Sequence, residues 1–556
     1  MIIGLDVGGT HTDVVLLDQK GILRQKKVLT DTRDLFSTVL KGLDAIMDGI
    51  DVKRISRSVL STTLTTNAIV QNDIAPVGMI VTGGPGLNPE LFKTNPFYAV
   101  VAGSIDHRGR EIQPVNENEI RQVAESFKKE GISHVGVVGK FSLRNASHEL
   151  KIGQLLNDSF DKVFLGHHSS GNLNFPRRIA TTYLNAAVYP IHKTFFEAVR
   201  KSLKKKGLEI PIHVLKADGG TMNFESSIDF PGQTILSGPA ASVMGALLAA
   251  PEKGDVLVFD IGGTTTDIAV LIDGVPVLEP LGIEIGHFKT LIRSLKTYSI
   301  GVGGDSCVRM NGEKLEVGPE RLGPALAYGG PEVTPTDALF VLEKIEGGDR
   351  DKSIEGVRRI ASQMGVSVEK AADEILSKTC MMILNEAGRL VSQINSKPVY
   401  TVYDVFEGYQ VSPETILVLG GPAVYFSNQF RARSDFSVLT VPEWGVANAV
   451  GAAVARTTCE VTLFADTEQG VITSSEGNFS GSCNKSYAKE DAIHDASELL
   501  RKKAMQSGAT SDDFEIEVIE NLEFNMVRGF YTSGKNIRVK VQVKPGIITG
   551  YENMGK

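Results

Sequence analysis

The sequence predicts an α/β protein with two duplicated lobes facing each other across a cleft, followed by a small α+β domain. Three observations carry this expectation. IGLDVGGTHTDVVL at 3–16 recurs as VFDIGGTTTDIAVL at 258–271, and Asp6 matches Asp260 at a constant offset of 254 residues. Short β-branched runs alternate with stretches of helical periodicity along most of the chain. A length of 556 residues leaves room for three or four units at about 100–200 residues each.

The elements follow in order. Each repeat copy is an apolar run, a two-glycine turn flanked by hydroxyls, and a second apolar run, the pattern of a β-hairpin with a polar tip. The first lobe is expected over 1–230, with an α/β insertion at about 77–165, where VGMIV and HVGVVGKF flank an amphipathic stretch at 117–131. A long helix or helix pair is expected at 176–206, starting after Pro176 and ending at Gly207, then a strand at 210–216. The second lobe is expected over 231–465, with a strongly helical 353–397 and a buried strand, TILVLGG, at 415–421. The polar stretch GVITSSEGNFSGSCNKS reads as a linker into a C-terminal domain over 466–556, with a helix near 488–507 and strands near 513–521 and 536–544.

Composition excludes several classes of function. Apolar residues make up 42% and charged residues 22%, an ordinary globular profile. The 58 basic and 66 acidic residues give −8, with no basic block, so nucleic-acid binding has no electrostatic support. The four cysteines are scattered without a CxxC pair, which argues against a disulfide framework or a local zinc or iron–sulfur site and favours a reducing cytoplasm. Neither a leader pattern at MIIGLDVGG nor a bilayer-length apolar run is evident. Glycine is in excess, 57 residues, and its pairs cluster in the motifs below.

A DxGGTxTD tip lets backbone N–H groups approach an anion closely and adds hydroxyl donors, so it can cradle phosphate. The leading aspartate repels phosphate but suits Mg²⁺ or an attacking water. Two opposed tips would therefore grip a metal-bound polyphosphate from both sides. Asp6 and Asp260 are the candidate catalytic and Mg²⁺-organising residues. Gly8, Gly9, Thr10, Thr12, Gly262, Gly263, Thr264 and Thr265 are the candidate phosphate holders. Asp13 and Asp267 either join them or brace the hairpins. LGGPA, with Gly420 and Gly421, is a turn on which a purine can lie, and VANAVGAAVA at 446–455 is a small-residue helix able to pack closely on another. STTLTTNA reads either as a helix N-cap or as a wall of donors, Thr63, Thr66 and Asn67, toward a substrate. Asp218 in ADGGTM and Gly238 in LSGPA are assigned to the same cleft, and Gly303 and Gly304 in IGVGGDS to the adenine or ribose side. His167 and His168 lack a third ligand and read as partly exposed loop histidines. Arg177 and Arg178 bind either a substrate carboxylate or local acids.

This order of hairpin, insertion, hairpin, glycine turn and alanine-rich helix resembles the superfamily of sugar kinases, actin and heat-shock chaperones, which implies a two-lobed actin-like, ribonuclease H-like fold. In detail GLDVGGTHTDVVLLD, STTLTTNAIVQ, ADGGTM, LSGPAASVMGA, DIGGTTTDIAV, IGVGGDS and LEVGPE, spread over residues 1–460, resemble the A-type subunits of the hydantoinase/oxoprolinase family. That resemblance implies an ATP- and Mg²⁺-dependent hydrolase that phosphorylates a cyclic amide or imide for ring opening, with a B-type partner subunit. The alternatives are an ATPase of the same fold that acts as a chaperone or reactivator of another enzyme, and a small-molecule kinase. All three share the nucleotide residues.

Overall fold

In the computed structural model the described residues are 1–556 apart from 10, 280, 343–344, 346, 397–408, 475, 477–478, 510–513, 553 and 555–556. Strands Ile2–Val7 and His11–Asp18 form the first hairpin, with Asp6 opposite Asp13. Arg57–Thr62 pairs in parallel on the outer side of Ile2–Val7, and Gly21–Leu29, Ile212–Leu215 and Thr221–Asn223 complete a six-stranded sheet. The second copy repeats the plan. Asp255–Ile261 and Thr266–Ile272 set Asp260 opposite Asp267, and Thr415–Leu419 lies in parallel alongside. Even the turn bond recurs: Gly8 N–H donates to the His11 carbonyl at 3.0 Å, and Gly262 N–H to the Thr265 carbonyl at 2.9 Å. The sequence repeat is thus a repeat of backbone geometry.

Two helices lie between the sheets. Ser237–Leu247 and Ala447–Val454 bury small side chains in one apolar cluster with Ile2, Val15 and Val59 of the first lobe and Val256, Val258 and Leu417 of the second. Their backbones touch. A Cβ on Gly245 would stand 2.3 Å from the Ala447 carbonyl oxygen, and one on Gly451 would stand 2.3 Å from that of Ala241. Only glycine permits so close a crossing.

The insertion has its own five-stranded sheet, from Val77–Gly83 to Lys162–Leu165. Its amphipathic helix, Glu117–Lys129, is capped by Asn116, which accepts the N–H groups of Asn118 and Glu119, and buries Ile120, Ala124 and Phe127 on one face. A single 31-residue helix, Phe175–Lys205, with Pro190 inside it, packs against both the insertion and helix Leu35–Met47 of the first lobe. It therefore ties the insertion to the lobe.

Two expectations change. The 353–397 stretch divides into Arg350–Met364 and Val368–Asn395, because Gly365 ends the first helix in the left-handed region (φ +67°) and Ser367 caps the second through Lys370 N–H. The stretch read as a linker carries strands Val471–Ser474 and Phe479–Ser482, at the edge of a sheet that begins at Glu460–Asp466, ahead of residue 466, and includes Ile516–Arg528 and Tyr531–Val543. Helix Lys489–Gln506 covers that sheet with Ala492, Ala496, Leu500 and Ala504. Among the described residues no helix is long and apolar enough to cross a membrane.

Candidate active site

The strand–turn–strand geometry delivers one aspartate from each lobe to the same place. Asp6 and Asp260 end the first strand of each hairpin, where the carboxyl groups are largely withdrawn from water yet still reach the cleft. Burial raises the Asp6 pKa to about 6, and the charges of Asp13 and Asp260 add to the rise; the Ser61 and Asn448 side chains pull against it. Asp260 is also raised by burial, against the pull of Ser242 and Asn448. Ser242 Oγ donates to Asp260 Oδ2 at 2.5 Å. Asp267 is pushed to about 7, by burial first and then by Asp260. Asp13 is raised by burial, although Lys27 forms a 2.9 Å ion pair with it.

Asn448 is the residue that sequence reasoning missed. It is the second residue of helix Ala447–Val454, and its amide lies close enough to both Asp6 and Asp260 to pull the pKa of each down. The available signal was that Asn448 is the sole polar side chain in VANAVGAAVA.

Around the first turn the structure gathers most of the expected residues. Gly9 lies 3.8 Å from Asn67 Nδ2, measured from an ideal Cβ, and Gly238 approaches the Thr63 methyl so closely that a Cβ would stand 2.9 Å away. Thr66 Oγ1 accepts the N–H of Leu236 at 2.8 Å, and Asn67 Nδ2 donates to Thr63 Oγ1 at 3.4 Å. Thr63 is the N-cap residue of helix Leu64–Val70 but makes no capping bond; Thr62 Oγ1 accepts Leu64 N–H instead, which leaves Thr63 to the cleft side. Leu236 adopts a left-handed backbone (φ 64°), a costly conformation for leucine, at the start of helix Ser237–Leu247.

At the second turn Gly304 N–H and Asp305 N–H donate to the carbonyls of Gly262 and Gly263 at 2.9 and 2.7 Å, so the Gly303–Gly304 loop is pressed onto the glycine pair. Gly420, at φ +96°, leaves an ideal Cβ only 2.6 Å from Asp260 Oδ1, and Gly421 follows it with open space around it. Thr264 and Thr265 are exposed at the tip. Thr10 lies outside the described residues.

Other expected residues lie elsewhere. Thr12 is fully buried with its hydroxyl 2.9 Å from Thr30 Oγ1, and its counterpart Thr266 is equally buried, donating to the Val302 carbonyl; the shared threonine of both copies serves the hairpin interior. Asp218 forms a 3.1 Å ion pair with Lys216, receives bonds from Thr458 Oγ1 and Gly220 N–H, and lines a separate chamber. His167 is buried, whereas His168 is partly exposed as expected. His167 Nδ1 lies 2.5 Å from the fully buried Glu149, while burial, followed by His167, lowers His168 to about 4. Arg177 pairs with Glu284 and donates to the carbonyls of Leu281 and Thr290, and the fully buried Arg178 donates to those of Gly139 and Lys140.

Lys27 pairs with Asp13, but among the described residues neither Asp6 nor Asp260 has an ion-pair partner. Asp6 Oδ1 is buried without a hydrogen-bond partner among the described residues, and neighbouring carboxyl groups raise one another. Mg²⁺ fits that deficit, since it takes one or two carboxylates and completes its shell with water and phosphate. Among the described residues no three His, Cys, Asp or Glu side chains form a closed metal cage.

Two duplicated lobes, each offering an aspartate-headed glycine turn to one cleft, define a protein of the two-lobed actin-like fold. Two solved structures share that fold over nearly the whole chain. One is a nucleotide-free acetone carboxylase, from work on ATP-dependent acetone carboxylation (TM-score 0.71, 16% identity, covering 100% of this chain and 88% of that one). The other is the ATP-dependent caprolactamase from Pseudomonas jessenii (TM-score 0.73, 20% identity, 98% and 87%). The hydantoinase/oxoprolinase N-terminal region matches residues 2–160 and the hydantoinase/oxoprolinase model matches residues 178–461, so the chain belongs to the hydantoinase/oxoprolinase family. In sequence it is 24% identical to caprolactamase subunit alpha of Pseudomonas jessenii over 421 residues, covering 67% of this chain and 60% of that one. It is 22% identical to the acetone carboxylase beta subunit of Xanthobacter autotrophicus over 513 residues, covering 82% and 69%.

Proposed function

We propose that the chain is the nucleotide-using subunit of an ATP-dependent hydrolase that opens a cyclic amide or imide by phosphorylating it, working with a B-type partner subunit. The observation that carries this reading is the convergence of Asp6 and Asp260 on Asn448, each aspartate heading a glycine turn from its own lobe. The relatives support ATP as phosphate donor and a multi-subunit setting, since they include an ATP-dependent caprolactamase and subunits named alpha and beta.

A lactam carbonyl is a poor electrophile. Transfer of the γ-phosphoryl group to its oxygen, with ADP leaving, gives a carbon that water attacks; loss of phosphate and C–N cleavage then leave a carboxylate and an amine. The protein's task is positioning and charge neutralisation. The N–H groups of Gly8 and Gly262 are engaged in the turn bonds, so those of Gly9 and Gly263 hold phosphate oxygens, with the exposed Thr264 and Thr265 adding hydroxyls. Asp6 and Asp260 would hold Mg²⁺, which when bound offsets the charge on the transferring group. Asn448 keeps both carboxyl groups oriented and ionised, and Ser242 fixes Asp260. Thr63, Thr66, Asn67 and Gly238 form the floor on which the ring amide rests. The partner's seat is the exposed apolar hairpin end at Phe524, Val527, Phe530 and Tyr531, where Phe530 is 100% exposed.

Nucleotide turnover with a panel of hydantoins, 5-oxoproline and larger lactams, with and without a B-type subunit, tests the reading. Asp6→Asn and Asp260→Asn should each abolish turnover. Asn448→Ala should lower it by about 10- to 100-fold, as expected for losing a hydrogen bond to a charged group. Full turnover in both aspartate variants would overturn the phosphate clamp. Stimulation by a protein partner but by no cyclic amide would overturn the substrate assignment.

A further inference from the structure

A chamber of about 350 Å³ lies where both lobes and the C-terminal domain meet. The first lobe contributes His168, Lys216 and Asp218, the second lobe Arg293, and the C-terminal domain Glu460 and Lys503. Its acids already have partners. Asp218 is held by Lys216 and Thr458, and Glu460 by Lys540 at 2.8 Å. Its bases are less fully engaged. Among the described residues, Lys503 Nζ donates to the Glu460 carbonyl at 3.1 Å. Arg293 reaches Glu460 through Nη1 at 3.5 Å, while its Nε and Nη2 are buried and donate no hydrogen bond among the described residues, with Asp218 Oδ2 3.8 Å from Nε.

Nε–H and Nη2–H point the same way along one edge of the guanidinium, the edge that takes both oxygens of a carboxylate at once. Leaving two such donors buried and unsatisfied is costly, and a bound carboxylate relieves that cost. Asp218 and Glu460, which flank the same guanidinium, supply acceptors for an ammonium on the same molecule. We propose that this chamber binds a small amino carboxylate, its carboxylate on the Nε/Nη2 edge of Arg293 with Lys503 alongside, and its ammonium toward Asp218 and Glu460. Because its walls come from both lobes and the C-terminal domain, the bound molecule locks that domain onto both lobes. An amino carboxylate is also the chemical class that hydrolytic opening of a lactam releases. The ligand then has two sources, the reaction's own product or an independent effector; binding itself rests on the chamber alone and not on the proposed activity.

Calorimetry on the full chain without nucleotide, using 4-aminobutyrate, 6-aminohexanoate, glutamate and acetate, tests the site. At least one amino carboxylate should bind, and Arg293→Met should weaken it about 10- to 100-fold, the loss expected for a bidentate charged pair. Arg293→Lys, which keeps the charge but not the edge, should restore only part of the affinity. No binding to the native chain at millimolar concentration, or equal affinity in a folded Arg293→Met protein, would overturn the proposal. Competition with a lactam that stimulates turnover identifies the ligand as product, and altered turnover without competition identifies an effector. Loss of turnover in Asp6→Asn with calorimetric binding intact separates this site from the phosphate clamp.

Discussion

Replacing Gly245 by alanine perturbs the crossing of the two inter-lobe helices, and the structure sets the size of the effect. The new methyl would lie 2.3 Å from the Ala447 oxygen, against a tolerated approach of about 3.0 Å, so the helices must separate by about 0.7 Å. The obstacle is backbone on both sides, which no side-chain rotation relieves. Overpacking of this kind costs about 1–3 kcal/mol. The displacement also reaches the cleft, because Ala447 adjoins Asn448 and helix Ser237–Leu247 carries Ser242 beside Asp260. A misplacement approaching 1 Å lowers turnover by as much as about 100-fold. Steady-state nucleotide turnover and urea unfolding monitored by circular dichroism report the two effects together. Gly388→Ala is the internal control. Gly388 lies exposed within helix Val368–Asn395 with open space around it, so the substitution should stabilise by about 0.5–1 kcal/mol and leave turnover unchanged. Native turnover and native stability in Gly245→Ala would refute the claim that backbone contact between these helices positions the site.

Two further outcomes follow from buried charge. Glu149→Gln removes the fully buried carboxylate that pairs with His167 and offsets the charge of the buried Arg178, and should cost about 3–5 kcal/mol in urea unfolding; equal stability of native and variant proteins would contradict the His167–Glu149 pair. Burial lowers His192 from 6.5 to about 3, so as pH falls from 6.5 toward 3 the unfolded chain binds a proton that the folded chain refuses, and stability drops by up to about 1.4 kcal/mol per pH unit from this group. His192→Gln should flatten the unfolding midpoint against pH over that window, and parallel curves for the two proteins would exclude the assignment.

The sequence made the hairpins legible because two glycines between apolar runs have few other solutions, and duplication named the aspartates. It could not separate Thr12 from its neighbours: both faces of a central strand are buried, so alternation carries no inward or outward sign. Asn448 was hidden for a related reason, because a small-residue helix reads as packing and its single amide looks incidental until the fold delivers it between two lobes. The strands Val471–Ser474 and Phe479–Ser482 read as linker because both are only four residues long and the second, an edge strand, carries the Gly and Ser that interior strands exclude. The chamber was unreadable in principle, since Arg293, Asp218 and Glu460 are far apart in sequence and meet only where both lobes and the C-terminal domain pack together.

The matching turn bonds at Gly8 and Gly262 have a consequence for direction. Two tips of equal geometry present the same face to anything held between them, so the tips alone cannot tell one end of a nucleotide from the other. The distinction must come from what stands behind each tip. Hydroxyls and an amide, Thr63, Thr66 and Asn67, back the first, whereas the Gly303–Gly304 loop and the Asp305–Arg321 ion pair back the second. The repeated hairpins supply a symmetric vice, and their differing neighbours give it a front and a back.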